Sequence, residues 1–311
     1  MARKHLFGPV ASRRLGRSLG VDLVPAKTCP FDCIYCEVGR TTRHTAVRQH
    51  FYPPEEILAQ IEEFFAGGGQ ADFITITASG EPTLSLDIAE IISECKKRFK
   101  VPVAVITDGA LLYDGQVRRD LAAADVVMPS LDAARAQVFE RINRPAPPVT
   151  LEKVIEGLVA FAREYKGRMW LEVLLAEGVN DSDEDVEALA GVIARIRPDR
   201  VQLNTVVRPP ADGSTRAVSA ERLEEIARRL SGVSPVEIIA PAALRAGART
   251  SRPAQEAILE TVRRRPCTAE DLAAGLSLSP EQVEEALAAL TRSGKVREVA
   301  FDRTRFYEAA D

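Results

Sequence analysis

The chain has 311 residues, of which 46% are hydrophobic and 28% charged, and its formal net charge is -4. That balance belongs to an ordinary globular protein and excludes a disordered or membrane-embedded chain, since no apolar run approaches the roughly 20 residues that a spanning helix needs. The start, MARKHLFGPVASRRLG, is basic but lacks the apolar stretch of a secretory signal, so a cytoplasmic location is expected.

Charge is uneven along the chain. Arg3, Lys4, Arg13, Arg14, Arg17, Lys27, Arg40, Arg43 and Arg48 face only Asp22, Asp32 and Glu37 in the first fifty residues. Such clustering favours a polyanion such as RNA, although arginines that hold the edge of a fold produce the same pattern. From Gly20 onward, short β-branched runs alternate with amphipathic stretches. GVDLVPA, 73–78, 101–107, 125–131, 169–176 and 200–207 read as strands. PPEEILAQIEEFFAGG, LDIAEIISECKKRF, LEKVIEGLVAFAREY, SDEDVEALAGVIARI and SAERLEEIARRL read as helices, with apolar residues at i, i+3, i+4 and i+7. Repeated βα units predict a parallel sheet, curled as a partial (β/α)6 TIM-type barrel; an open doubly wound sheet is the alternative. After SPVEIIAP the pattern changes, and residues 242–252 suit a linker. PAQEAILETVRRR, TAEDLAAGL and SPEQVEEALAALTRSG then predict three short helices, with Thr268 and Ser279 as N-caps. Two strands about Asp302 and Arg303 would complete a small winged-helix domain over 253–311. Acidic residues outnumber basic ones in that segment, so protein, nucleic acid and the barrel itself are all partners it could contact.

Cys29-Pro-Phe-Asp-Cys33-Ile-Tyr-Cys36 follows the first predicted strand, at the end where barrel enzymes place their chemistry. Three cysteines within eight positions of an intracellular chain point to metal rather than disulfides. Structural zinc closes with four ligands, and no second CxxC or CxxxH occurs downstream. A 4Fe-4S cluster held by three thiolates keeps one iron open for a ligand. Polar residues recur at the later strand ends: Ser79-Gly80-Glu81-Pro82, Thr107-Asp108-Gly109, Ser130-Leu131-Asp132, Glu172, and Asn204 with Arg208. They are candidates for ribose, carboxylate and substrate contacts, although Asp108 or Asp132 in such positions can simply cap a helix.

The spacing CxxxCxxC with an aromatic before the last cysteine resembles the signature of the radical S-adenosylmethionine (SAM) superfamily. The resemblance implies that SAM chelates the open iron and is cleaved to a 5′-deoxyadenosyl radical, with an electron donor such as flavodoxin or ferredoxin. It implies that residues 1–241 form the catalytic barrel, that Cys29, Cys33 and Cys36 are the metal ligands, and that Tyr35 packs on adenine. Ser79-Gly80-Glu81-Pro82 stands where the family has GGEP; glycine there allows close approach of a ligand, and Glu81 is expected to accept from the SAM ammonium. Further runs, CPFDCIYCEVGRTT, TDGALL, RINRP and QLNTVVRPP among them, resemble the wyosine-synthase-like branch, which modifies a tRNA base by condensing it with pyruvate through a lysine. Lys27 is the lysine nearest the cysteines and the candidate catalytic residue. The second cluster of that branch has no counterpart, because only Cys95 and Cys267 remain. A protein, peptide or small molecule is the alternative substrate. A non-catalytic iron-sulfur sensor reading DNA is a separate class; it predicts a strongly basic recognition helix, whereas SPEQVEEALAALTRSG begins acidic.

Overall fold

The computed structural model describes residues 5–12, 14–77, 79–239 and 253–310. The expected linker 242–252 lies outside the described residues, as do Arg3, Lys4 and Arg13. In chain order the elements are β1 (Leu6–Ser12), β2 (Gly16–Asp22), two-residue β3 (Thr28–Cys29) and β4 (Arg43–His44), α1 (Pro54–Ala66), β5 (Phe73–Thr77), α2 (Ile88–Arg98), β6 (Val103–Thr107), α3 (Gly115–Leu121), β7 (Val126–Pro129), α4 (Ala136–Ile142), α5 (Leu151–Glu164), β8 (Arg168–Leu175), α6 (Asp183–Ile196), β9 (Arg200–Thr205), α7 (Ala220–Leu230) and β10 (Val236–Ile238). The chain then continues through α8 (Ala254–Val262), α9 (Ala269–Leu276), α10 (Pro280–Arg292), β11 (Val296–Phe301) and β12 (Thr304–Ala309).

One sheet runs in the order β1-β2-β5-β6-β7-β8-β9-β10. From β2 to β10 every neighbouring pair is parallel. The six predicted strands form the unbroken run β2 to β9, with crossover helices between them, as the (β/α)6 pattern requires. Two strands of this sheet were not expected. β10 adds a parallel edge, and β1 pairs antiparallel at the other. Pro9 hid β1, because proline cannot donate to a ladder, yet an edge strand tolerates it.

Alternation along the strands separates two apolar layers. Val103, Val105, Val127, Leu171, Val173 and Leu203 face the helices in the main core. Ala104, Val126, Met128 and Trp170 face the other way and are covered by Leu15, from the turn between β1 and β2. Five of the predicted helices are present within a residue or two of their expected limits; the short α3 and α4 carry too few turns to show a periodicity.

The C-terminal helices and hairpin have an apolar cluster of their own, including Ile258, Leu272, Val283, Leu287 and Val296. Thr268 with Asp271 and Ser279 with Gln282 each form a reciprocal capping box. Asp302 and Arg303, at φ 45° and 61°, make the tight turn of the hairpin. This unit touches both sides of the open sheet. Arg264 lies over the Phe7 ring at 4.5 Å and donates to Asp22 at 3.1 Å, while Asp271 faces Arg208 at 3.6 Å.

Candidate functional site

The cysteine loop leaves the short β3 and is clasped from two directions. Asp32 N donates to Asn143 O at 3.0 Å, Ile34 N to Ile142 O at 3.0 Å, and Ala146 N to Pro30 O at 2.7 Å, so the segment after α4 forms one wall. On the other side Asp212 N, from the loop after β9, donates to Ile34 O at 2.9 Å. All three thiols are free. Burial, then neighbouring carboxylates and each other's charge, pushes the Cys29 and Cys33 thiols well above the ordinary range; burial raises Cys36 as well. Without a metal these sulfurs keep their protons, and metal binding would release them.

Among the described residues no three His, Cys, Asp or Glu side chains converge on one metal ion. In a cubane each thiolate binds a different iron. Three free thiols on one loop are the donor set that an iron-sulfur cluster takes. Cys95 and Cys267 are buried in the two apolar clusters, at 0% and 1% exposure, and are packing residues. Burial pushes the Cys95 thiol up to about 12.

The SGEP turn sits directly on this loop. A Cβ on Gly80 would lie 2.3 Å from Thr28 O, so only glycine permits the approach, and Glu81 N donates to that carbonyl at 2.9 Å. The Glu81 carboxylate is held within the protein. It is 2% exposed and accepts from Thr83 N, Thr83 Oγ1, Thr107 Oγ1 and Asp108 N at 2.6 to 2.9 Å. With these four donors inside the protein it ties the turn after β5 to the end of β6. Ser79 contributes backbone: its N donates to Asp22 Oδ1 at 3.2 Å and its carbonyl accepts from Lys27 N.

Asp108 accepts from Cys29 Sγ at 3.3 Å and from Ala110 N at 2.8 Å. Burial and the nearby Glu81 hold its carboxyl well above the usual range. Asp132 accepts from Tyr35 Oη, from Asn143 Nδ2 at 2.9 Å and from Leu174 N at 3.0 Å, and burial raises its carboxyl too. Tyr35, Asp108, Ser130, Asp132 and Asn143 meet around a cavity of about 10 Å³. Four of these five were predicted. Asn143 was not: it also donates to Cys33 Sγ at 3.4 Å, and its only sequence signal was its place in RINRP.

Other predicted residues are brought elsewhere. Glu172 ion-pairs with Arg14 and receives Asn204 Nδ2 at 3.5 Å, so Asn204 belongs to a polar network in the sheet. Arg208, expected at the cofactor, pairs with Glu37 at 3.2 Å and with Asp271. It also lines the larger cavity, about 760 Å³ between the ends of β9 and β10 and the C-terminal unit, whose lining contains none of the cysteines. Lys27 adopts φ 59°, and its Nζ lies near Gly39, beyond Cys36. Among the described residues no helix is long and apolar enough to cross a membrane.

Comparison with known proteins adds the family. Residues 23–190 match the model of the radical SAM superfamily. A protein of Brachyspira hyodysenteriae named GTPase Obg is 37% identical over 296 residues, 95% of this chain, which spans 44% of that protein's length. A UPF0026 protein of Methanocaldococcus jannaschii is 35% identical over 222 residues, 71% of this chain and 69% of that one. The structure of TYW1 with a lysine-pyruvate adduct bound aligns with a TM-score of 0.53 at 22% identity, over 70% of this chain and 74% of its own. That likeness supports the partial-barrel fold. Enzymes of the matched superfamily use a 4Fe-4S cluster and SAM, and need an electron donor. With the cysteine loop, the SGEP turn and the parallel sheet all lying within or across the matched span, the chain belongs to the radical SAM superfamily.

Proposed function

We propose that the protein cleaves SAM reductively at the cysteine loop and directs the resulting radical at an organic substrate. The observation that carries this reading is the meeting of three free thiols with Gly80, Asp108, Asp132 and Tyr35 at the carboxyl ends of parallel strands. When bound, the cluster and SAM supply an electron and a 5′-deoxyadenosyl radical. Cys29, Cys33 and Cys36 would hold the cluster, and Asn143 steadies Cys33 by donating to its sulfur. Glu81 fixes the turn on which Gly80 gives a ligand close access to the loop. Asp108 and Asp132 supply carboxylates held by neutral donors, an environment suited to a cationic ligand such as a sulfonium.

Residues 253–310 are read as a winged-helix domain on the strength of three helices, the hairpin and a separate apolar cluster. An RNA base draws on the basic residues of the first fifty positions, of which Arg14, Arg17, Arg40 and Arg48 also pair with Glu172, Asp72, Asp32 and Asp120. The substrate is therefore left as a class, with RNA as one arm of the test. A flavodoxin or ferredoxin in the cytoplasm would serve as donor. GTP hydrolysis is not carried over from the Brachyspira protein: this chain contains no GxxxxGK[ST] phosphate loop.

The experiment is anaerobic reconstitution followed by dithionite reduction with SAM, alone and with RNA or protein extracts, and chromatography for 5′-deoxyadenosine. About four irons per chain are expected, lost in each cysteine-to-alanine variant and kept in Cys95→Ser/Cys267→Ser. A reduced, four-iron protein that leaves SAM uncleaved with every extract would end this reading.

A further inference from the structure

Arg208 connects two parts of the molecule that the sequence separates widely. It stands in the loop after β9, and Pro209 and Pro210 follow it, which restricts its backbone to extended conformations. The side chain is only 10% exposed. Nη1 donates to both oxygens of Glu37, at 3.2 and 3.3 Å, and Glu37 is the residue after Cys36. Nη2 faces Asp271 Oδ2 at 3.6 Å, the same oxygen that accepts from Thr268 N at 3.3 Å in the capping box of α9. Nε has no partner, so the two carboxylates, one from the cysteine loop and one from the C-terminal unit, are the groups that compensate this buried cation.

The rest of the loop is held differently. Residues 30 to 34 are pinned by backbone hydrogen bonds to the segment after α4 and to Asp212; beyond Cys36, Thr42 N and Arg43 N donate to Lys27 O and Arg40 pairs with Asp32, all within the loop, whereas the Glu37–Arg208 pair ties this arm to the C-terminal unit. We infer that Arg208 is a positioning residue, which fixes the arm of the cluster loop beyond Cys36 onto the C-terminal unit and so makes the environment of the third cysteine depend on that unit's docking. The inference rests on the reading of the loop as a cluster site. A guanidinium suits the role because it is always charged and can donate to two carboxylates in a fixed plane, which an ammonium cannot. Removing it takes from both Glu37 and Asp271 the cation they share.

The test compares Arg208→Met, Arg208→Lys, Asp271→Asn and wild type, with Arg118→Met as a control; Arg118 pairs with Glu164 between α3 and α5, away from the cysteines. Amide hydrogen exchange is followed over residues 36–42 in the apoprotein, together with the rate of iron loss to a chelator and the electron paramagnetic resonance signal of the reduced cluster. Arg208→Met and Asp271→Asn are expected to speed exchange in that segment, and iron loss, by about tenfold, the factor that a loss of about 1.4 kcal/mol gives. The cluster signal should shift with them, Arg208→Lys should recover part of each effect, and the control should change global stability alone. Wild-type exchange and wild-type signal in folded Arg208→Met overturn the inference, as does an equal response in the control. If Arg208→Met does not fold, Asp271→Asn decides on the same readouts, since asparagine keeps a cap acceptor for Thr268. Failure of the wild type to hold four irons counts against the cluster reading instead, while exchange in the apoprotein still tests the anchor.

Discussion

The strand ends beside the cysteines and the junction with the C-terminal unit both bury charge, and they satisfy it by different means. At the strand ends Glu81, Asp108 and Asp132 receive backbone N–H groups, hydroxyls, an amide and a thiol, and among the described residues no lysine or arginine pairs with any of them. At the junction each carboxylate has a cation: Asp22 has Arg264, and Glu37 and Asp271 share Arg208. Neutral donors fix these carboxyls in place without an opposite charge beside them, and burial raises Asp108 and Asp132 above the usual range. Opposite charges cancel, so the junction is scaffold.

Substitutions can break this contrast, and Glu81 should respond most. Glu81→Gln keeps the shape but turns an NH2 toward donors that need an acceptor, and hydrogen bonds to charged groups contribute about 1.5 to 3 kcal/mol each. A loss of about 3 kcal/mol of stability in urea unfolding is expected, with iron incorporation still measurable in the folded fraction. Wild-type stability would mean that the carboxylate is not the organiser of the turn.

Gly80→Ala should follow, at about 2 kcal/mol, the usual scale of overpacking. Its Cβ meets the Thr28 carbonyl, one residue before Cys29, so the substitution must also lower iron content after reconstitution. Full iron with full SAM binding by calorimetry would show that the turn can give way without moving the loop.

A smaller effect is expected at the junction. Arg264→Met removes a pair whose side chains are 18% and 15% exposed, together with the contact to the Phe7 ring. A fully buried pair loses roughly 3 to 5 kcal/mol when one partner goes; partial exposure should bring this to about 1.5 kcal/mol. Asp22→Asn in the same background should cost little more, because coupled residues are not additive. Simple additivity of the two losses would mean that the pair does not act as one.

The smallest effect concerns pH. Asp212 accepts from Ser214 and from Arg144, which hold its carboxyl down at about 2, below the ordinary 3.8. The folded form therefore prefers the ionised group. This contribution is complete above about 3.8 and disappears as pH falls through about 2. Carboxyl resonances followed by NMR should place its midpoint well below that of an ordinary aspartate; a midpoint near 3.8 would remove the pair from the clasp on the cysteine loop.

Much of the architecture was legible because it depends on local pattern. Alternating β-branched runs and apolar spacing at i, i+3, i+4 and i+7 specify strands and helices whatever surrounds them, and β2 to β9 with their longer helices follow that pattern. The capping boxes at Thr268 and Ser279 and the turn at Asp302 and Arg303 are equally local. The cysteine spacing named the metal chemistry, since three thiols on one short loop must end up together. Partners chosen across the fold were another matter. That Glu81 spends its carboxylate on Thr83, Thr107 and Asp108, that Asn143 reaches Cys33, and that Arg208 joins Glu37 to Asp271 all depend on which strand lies beside which. Within the basic amino-terminal stretch, that Arg14, Arg17 and Arg48 meet carboxylates from β8, from the residue before β5 and from α3 was likewise not written in the sequence. Sequence determined which residue types line the strand ends, because periodicity is written in neighbours along the chain. Only the tertiary structure decided which of those charges stay uncompensated, because pairing is a property of distance in space.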